Sequence, residues 1–282
     1  MNIQNSKFGA MTPRDEIKAL LSKKELFIFD LDGTLFNTLG DLAPAVNYAM
    51  KQFGLKTHSN DDVRTFIGNG SMNLIRRAVA ANFIDVNIVR NIEKVATVLE
   101  REGYSEESIK EIHKVYSEFY WEHCTENTEP YEGAVELLQR IPNRAENFNR
   151  NEDCDGMRCS SKNERNIAET KCAAMLTNKP VAPSQKILAK FGLENSFATY
   201  LCGDTTPERK PSPAGIFEIL RQTGIAPEKT VMIGDDTPDI LAAKNAGIDC
   251  ITLFEGFGKA ENLLPLEPRY TAGHIKDLAE FI

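Results

Sequence analysis

Leu26-Phe27-Ile28-Phe29 is apolar at every position and stops at an aspartate, Asp30. A half-exposed strand alternates apolar with polar residues. A run with no polar face needs cover on both sides, as in a parallel sheet flanked by helices. Further short apolar runs stand at 172–177, 197–201, 231–233 and 250–253, with helix-period segments between them at 181–191, 212–223 and 238–246. Strands alternating with helices predict an α/β fold built on a doubly wound, Rossmann-like parallel sheet. Two short helices accompany it. One spans 133–141; the other precedes the first strand, with Thr12 as N-cap, Pro13 at the first helical position and Ile17, Leu20 and Leu21 facing inward.

From about residue 39 to 128 the pattern is helical throughout. Ala43, Val46, Tyr48, Ala49 and Met50 fall in a stretch that ends at Gly54, and Ser71 opens another with Leu74, Ile75, Ala78 and Val79 inward. Ile88, Ile92, Val95 and Leu99 form a third set, and Ile109, Ile112, Val115, Tyr116, Phe119 and Tyr120 a fourth. Amphipathic helices of this kind pack on one another. The expected organisation is an N-terminal extension (1–22), an α/β core (23–37 and 130–282) and an all-helical insert (38–129).

The 282 residues include 41 acidic and 33 basic side chains, a net charge of −8, which argues against nucleic acid as a partner. No apolar run approaches the roughly 18 residues of a membrane span, so no membrane association is expected. The first ten residues lack the apolar stretch of a secretory signal. Six cysteines in so long a chain do not form a disulfide framework, which predicts a reducing, cytoplasmic setting. A monomer or a homodimer is expected.

Chemistry concentrates at the predicted strand ends, where open parallel sheets bind their ligands. Asp30-Leu31-Asp32-Gly33-Thr34 follows the first strand, and Gly33 lets the chain turn close to an anion. Val231-Met232-Ile233 ends in Gly234-Asp235-Asp236, with Asp239 on the next helix. An acidic turn or an N-cap at Asp236 or Thr237 would account for either cluster alone. Together they place carboxylates at one sheet edge, where they repel unless a cation lies among them, and oxygen-only ligands suit Mg²⁺. Thr177-Asn178-Lys179 adds a hydroxyl and backbone donors, and Lys210 adds a partner for phosphate.

Asp30-Leu31-Asp32-Gly33-Thr34, Thr177, Lys210 and Gly234-Asp235-Asp236, in this order, resemble the four motifs of the haloacid dehalogenase-like superfamily. The resemblance runs from about Leu26 onwards and includes the insert, which is similar to that superfamily's cap domain. It implies that Asp30 attacks a phosphoryl group and forms an aspartyl-phosphate, while Asp32 protonates the leaving alcohol and later activates water. It also implies Mg²⁺ held by Asp30, the backbone carbonyl of Asp32 and Asp235. Thr177 and Lys210 would stabilise the transferring oxygens, with Asp236 and Asp239 in support. Members that cleave carbon–halogen bonds lack the second aspartate, so Asp32 favours phosphoryl transfer.

Gly40-Asp41-Leu42, Ile67-Gly68-Asn69-Gly70-Ser71, Thr177-Asn178-Lys179-Pro180 and Lys210-Pro211-Ser212-Pro213 resemble the phosphoglycolate phosphatases within it. The implied reaction is Mg²⁺-dependent hydrolysis of a small phosphorylated acid, 2-phosphoglycolate first. Gly33, Asn178, Arg64, Asn69 and Arg76 are the expected substrate contacts. Residues 63–84 carry Arg64, Arg76 and Arg77 and no carboxylate, although the insert as a whole is acidic. Such a segment could meet the acid's carboxylate. A phosphosugar phosphatase or mutase, a pyrophosphatase or a silent binding module on the same scaffold are the rival readings.

His58, His113, His123 and His274 have no Cys or His at metal-ligand spacing and read as surface or packing residues. The 143–171 segment departs from the family pattern. Six acidic and six basic residues, with Cys154 and Cys159 among them, predict a disordered surface loop.

Overall fold

The computed structural model describes residues 11–142, 171–206 and 208–282, so the expected loop at 143–171, apart from Lys171, lies outside the described residues. The chain begins with α1 (Arg14–Leu21), β1 (Leu26–Phe29) and β2 (Phe36–Asn37). Five helices follow: α2 (Leu39–Gln52), α3 (Asn60–Phe66), α4 (Ser71–Ala80), α5 (Ile92–Arg101) and α6 (Glu106–His123). The chain then returns through β3 (Glu129–Pro130), α7 (Ala134–Arg140), β4 (Cys172–Leu176), α8 (Val181–Lys190), β5 (Thr199–Leu201) and α9 (Ala214–Thr223). It ends with β6 (Thr230–Gly234), α10 (Thr237–Ala246), β7 (Asp249–Leu253), α11 (Ala260–Leu263) and β8 (Tyr270–Ala272).

Six strands form one parallel sheet in the order β5-β4-β1-β6-β7-β8. The every-position apolarity of β1 has a direct cause. Phe27 and Phe29 pack into the cluster that holds Ile17, Leu21 and Leu137, while Leu26 and Ile28 join Ile216, Ile219 and Ala242 in another. Each set covers one sheet face, as successive strand residues must. The connection leaving β1 runs toward β4 and the one leaving β6 runs toward β7. The crevice between β1 and β6 is therefore the topological switch point, where such sheets bind ligands. β8 was not expected; three residues with a central Thr271 carry too little pattern.

The helices of the insert have their own core, centred on Val46, Met50, Phe66, Ile75, Ile109 and Ile112. Two sequence expectations change. Thr12 does not cap α1, because its hydroxyl accepts from the Thr271 amide at 2.9 Å while its own amide donates to Thr271 Oγ1 at 3.1 Å. Ile88 and Ile92 do not share one buried helix face. Asn91 N-caps α5 by accepting from the Lys94 amide at 2.9 Å, and both isoleucines stay exposed. Among the described residues, no helix is long and apolar enough to cross a membrane.

The chain enters and leaves the insert along β2 and β3, which pair antiparallel. Asp41, buried on the first turn of α2, fastens the crossing. One oxygen accepts from Asn127 N (2.8 Å) and Nδ2 (3.0 Å); the other accepts from Thr128 N (2.8 Å) and Oγ1 (2.7 Å). Truncation would orphan buried donors, so Asp41→Ala should cost about 3 kcal/mol of unfolding free energy. A urea titration checks this; an unchanged midpoint would contradict it.

Candidate active site

Asp30, Thr177 and Asp235 each stand just past the carboxyl end of a strand, and Lys210 lies further along the loop that follows β5. The sheet ladder continues through Asp30, whose amide donates to the Ile233 carbonyl at 3.0 Å, and through Thr177, whose amide donates to Leu201 at 3.0 Å. Asp235 follows β6, across the switch-point crevice from Asp30. Carboxylate oxygens of Asp30, Asp235 and Asp239 lie within 4.8 Å of one another. Lys210 Nζ bridges two of them, 2.7 Å from Asp30 Oδ1 and 2.6 Å from Asp239 Oδ1. The other oxygen of Asp239 accepts from the amides of Asp235 (3.2 Å) and Asp236 (3.1 Å), closing a capping box at the start of α10.

Asp235 is enclosed by bare backbone. Thr34 Oγ1 and the Phe257 amide donate to its two oxygens at 2.7 and 2.8 Å. A Cβ on Gly33, which has φ +88°, would fall 2.3 Å from Asp235 Oδ2, and one on Gly256 would fall 2.3 Å from Asp235 Cβ. Gly33, expected beside a bound anion, is thus required first by Asp235.

Asp32 faces a different set of partners. Thr38 Oγ1 donates to its Oδ1 at 2.7 Å, and Lys179 Nζ contacts both oxygens at 2.9 and 3.1 Å. Lys179 also donates to the hydroxyl of Tyr120, on α6, at 2.5 Å and lies 4.6 Å from its ring centroid. Lys179 carried no role in the sequence reading, although it stands two residues after Thr177 on the same turn. Asn178 is tied up: its side chain accepts from the Lys210 amide and donates to the Lys210 carbonyl, both at 2.9 Å. It fixes the lysine loop, which leaves a direct substrate contact to its backbone.

These groups open on a cleft between sheet and insert, which Ile67, Asn69, Ser71, Tyr116 and Trp121 help to line. Asn69 reaches it as expected, at φ 62°, with its Oδ1 buried and unbonded. The arginines do not reach it. Arg76 binds Glu106 at 2.6 Å and Asn73 at 3.2 Å, and lines a second cavity. Arg64 donates to the Gly256 carbonyl. Arg77, buried, donates to the carbonyls of Phe66, Ile67 and Gly68. Arg90, which no sequence signal singled out, binds Asp236 at 2.9 Å and donates to the Ile67 carbonyl at 3.2 Å. Asp236 therefore supports the cap and caps α10, and it makes no contact with Lys210. His113, remote in sequence, lies 2.8 Å from Ser71 Oγ at the cleft wall.

Burial pushes Asp30 up to about 7; Lys210 opposes this, while Asp239 and Asp32 add to it. Burial, Asp239 and Asp30 likewise drive Asp235 well above the usual carboxylate range. Burial alone would lower Lys210, but Asp239 and Asp30 outweigh it and hold the ammonium above its ordinary value. Crowded, dehydrated carboxylates of this kind fit a hard divalent cation, whose charge would remove the repulsion.

The model of the haloacid dehalogenase-like hydrolase family matches residues 27–147 and 168–253. Phosphoglycolate phosphatase 1 of Pseudomonas aeruginosa is 30% identical over 90% of this chain and 78% of its own length. Phosphoglycolate phosphatase of Psychrobacter arcticus is 30% identical over 92% of this chain and 96% of its own. The crystal structure of a Haemophilus somnus protein described as a predicted phosphoglycolate phosphatase superposes with a TM-score of 0.71 at 26% identity. That alignment covers 92% of this chain and 97% of that one.

The raised carboxyl of Asp30 ties stability to pH. Between 3.8 and about 7 the folded chain keeps a proton that the unfolded chain has released. Stability from Asp30 is thus greatest at acid pH and is lost as pH rises through that window. In chelator-treated protein, calorimetric unfolding should show the wild type losing ground to Asp30→Asn between about pH 4 and 7, and a divalent cation should restore it. Parallel pH curves for the two proteins would contradict the assignment.

Proposed function

This chain belongs to the haloacid dehalogenase-like hydrolase family, and we propose that it is a Mg²⁺-dependent phosphatase of small phosphorylated acids, with 2-phosphoglycolate the leading substrate. The observation that carries this reading is the division of labour between two aspartates two residues apart. Asp30 joins the carboxylate–lysine cluster at the switch point, while Asp32 turns to Thr38 and Lys179. Curated relatives at 30% identity, named phosphoglycolate phosphatases, support the substrate.

In this reading an Asp30 carboxylate oxygen attacks phosphorus. The ester P–O bond breaks as Asp32 gives its proton to the departing alkoxide. Asp32 then takes a proton from water, which attacks the aspartyl-phosphate; orthophosphate leaves and Asp30 is regenerated. Lys210 is the cation beside the transferring oxygens, and the Thr177 hydroxyl and neighbouring backbone donors complete their cradle. Asn178 and Asp239 hold Lys210 from its backbone and its ammonium. Asp30, Asp235 and the Asp32 carbonyl would hold Mg²⁺, which when bound supplies positive charge to the phosphoryl oxygens.

Wild-type protein should release orthophosphate from 2-phosphoglycolate with Mg²⁺ and stop with chelator. Asp30→Asn should lose on the order of 10⁴-fold or more in kcat while retaining the fold. Undiminished release by Asp30→Asn would overturn the nucleophile, and phosphate recovered on an organic acceptor would mark a mutase.

A further inference from the structure

A small phosphorylated acid carries a second anionic group, and the cap arginines do not meet it. Among the described residues, the cations lining the cleft are Lys210 and Lys179. Lys210 bonds Asp30 and Asp239, and the reaction proposed above gives its remaining donor to the phosphoryl oxygens. Lys179 is different. An ammonium has three N–H donors; one is spent on the carboxylate of Asp32 and one on the Tyr120 hydroxyl. Among the described residues the third has no acceptor, on a side chain only 3% exposed at the wall of the cleft.

Its place relative to the reaction matters more than its charge. Asp32 is the group assigned to the leaving oxygen, and Lys179 Nζ is 2.9 Å from Asp32 Oδ1. In a 2-phosphorylated hydroxy acid the carboxylate is borne by the carbon that also carries the ester oxygen. A substrate with phosphorus at Asp30 and its ester oxygen at Asp32 therefore brings that carboxylate beside Lys179. Elsewhere the cleft lining includes Leu42, Leu74, Tyr116 and Trp121, which offer shape and no charge.

We propose that Lys179 is the specificity-determining residue that receives the substrate's α-carboxylate, held ready by Tyr120 of the cap, an inference that rests on the phosphatase reading above. The substrate class is thereby narrowed to phosphate esters of 2-hydroxy acids. Phosphates whose carboxylate lies further from the ester oxygen lose this contact.

The test compares 2-phosphoglycolate with ethyl phosphate, which replaces the carboxylate by a methyl group. In full-length protein with Mg²⁺, Lys179→Met should cut the kcat/KM ratio of the two esters by about 10- to 100-fold, mainly through the KM for 2-phosphoglycolate. Lys179→Arg should recover part of it. Loss of Asp32's partner slows both esters alike and cancels in the ratio. An unchanged ratio would overturn the proposal and leave Lys179 as a support for Asp32 alone. Calorimetric titration of both esters into Asp30→Asn and Asp30→Asn/Lys179→Met reads the same discrimination without turnover. If neither ester is hydrolysed, the phosphatase reading fails while binding still judges Lys179. Equal affinity of Asp30→Asn for the two esters would sink the Lys179 assignment by itself.

Discussion

Dehydrated carboxylates at the β1/β6 crevice are the constraint on which the surrounding architecture turns. Asp30, Asp235 and Asp239 are all largely buried, and burial of an ion is costly unless fixed partners replace its water. The chain supplies those partners from several elements: the Lys210 ammonium, the Thr34 hydroxyl, and the amides of Asp235, Asp236 and Phe257. The glycines follow from the same demand. Gly33, Gly234, Gly256 and Gly258 each stand where a Cβ would collide with Asp235 or Asp239. They let backbone close around the acids, and they explain local sequence that a turn preference alone would not.

The cap is seated by the same economy of charge. Arg90 reaches across to Asp236 and Arg64 to the Gly256 carbonyl, so two cap arginines bind the core. Arg77 and Arg90 also collect the carbonyls of Phe66, Ile67 and Gly68, which shapes the loop through Asn69. Gly68 and Gly70 are the points of closest approach: a Cβ there would meet Asp236 at 2.7 Å and Arg209 at 2.6 Å. A segment that looks cationic in sequence thus spends its charge on holding the cap in place. What it presents to the cleft is apolar surface and neutral polar groups.

That difference marks what could be read from the chain. Asp30, Asp32, Asp235 and Thr177 were legible because local pattern alone places them: an apolar strand must end, and the next residue stands at the sheet edge. The sheet strands β1, β4, β5, β6 and β7 and most of the helices follow from the same periodicity, while the short pair β2 and β3 does not. The roles of Asn178, Lys179, Arg76 and Arg90 were not legible, because each depends on a partner distant in sequence. Arg76 finds Glu106 and Arg90 finds Asp236, and no spacing rule announces either pair. Thr12 failed as a cap for the same reason, since Thr271 of the edge strand outbid the helix for its hydroxyl. Local rules choose the element, while long-range partners decide what a polar side chain does.

The net charge of −8 can now be placed against the reaction. Four acidic side chains at the cleft, Asp30, Asp32, Asp235 and Asp239, face two lysines, Lys179 and Lys210, while Asp236 pairs with Arg90. The acids outnumber the lysines by two, and burial with mutual repulsion makes Asp30 and Asp235 hold their protons more tightly than ordinary carboxyl groups. One divalent cation between them would displace those protons and match the excess. In the proposed reaction the two lysines would stand one beside the phosphorus and one beside the leaving oxygen, each still paired with its aspartates. On that reading the buried acids serve the anionic ester indirectly, because the cation they would gather is what the phosphoryl oxygens meet.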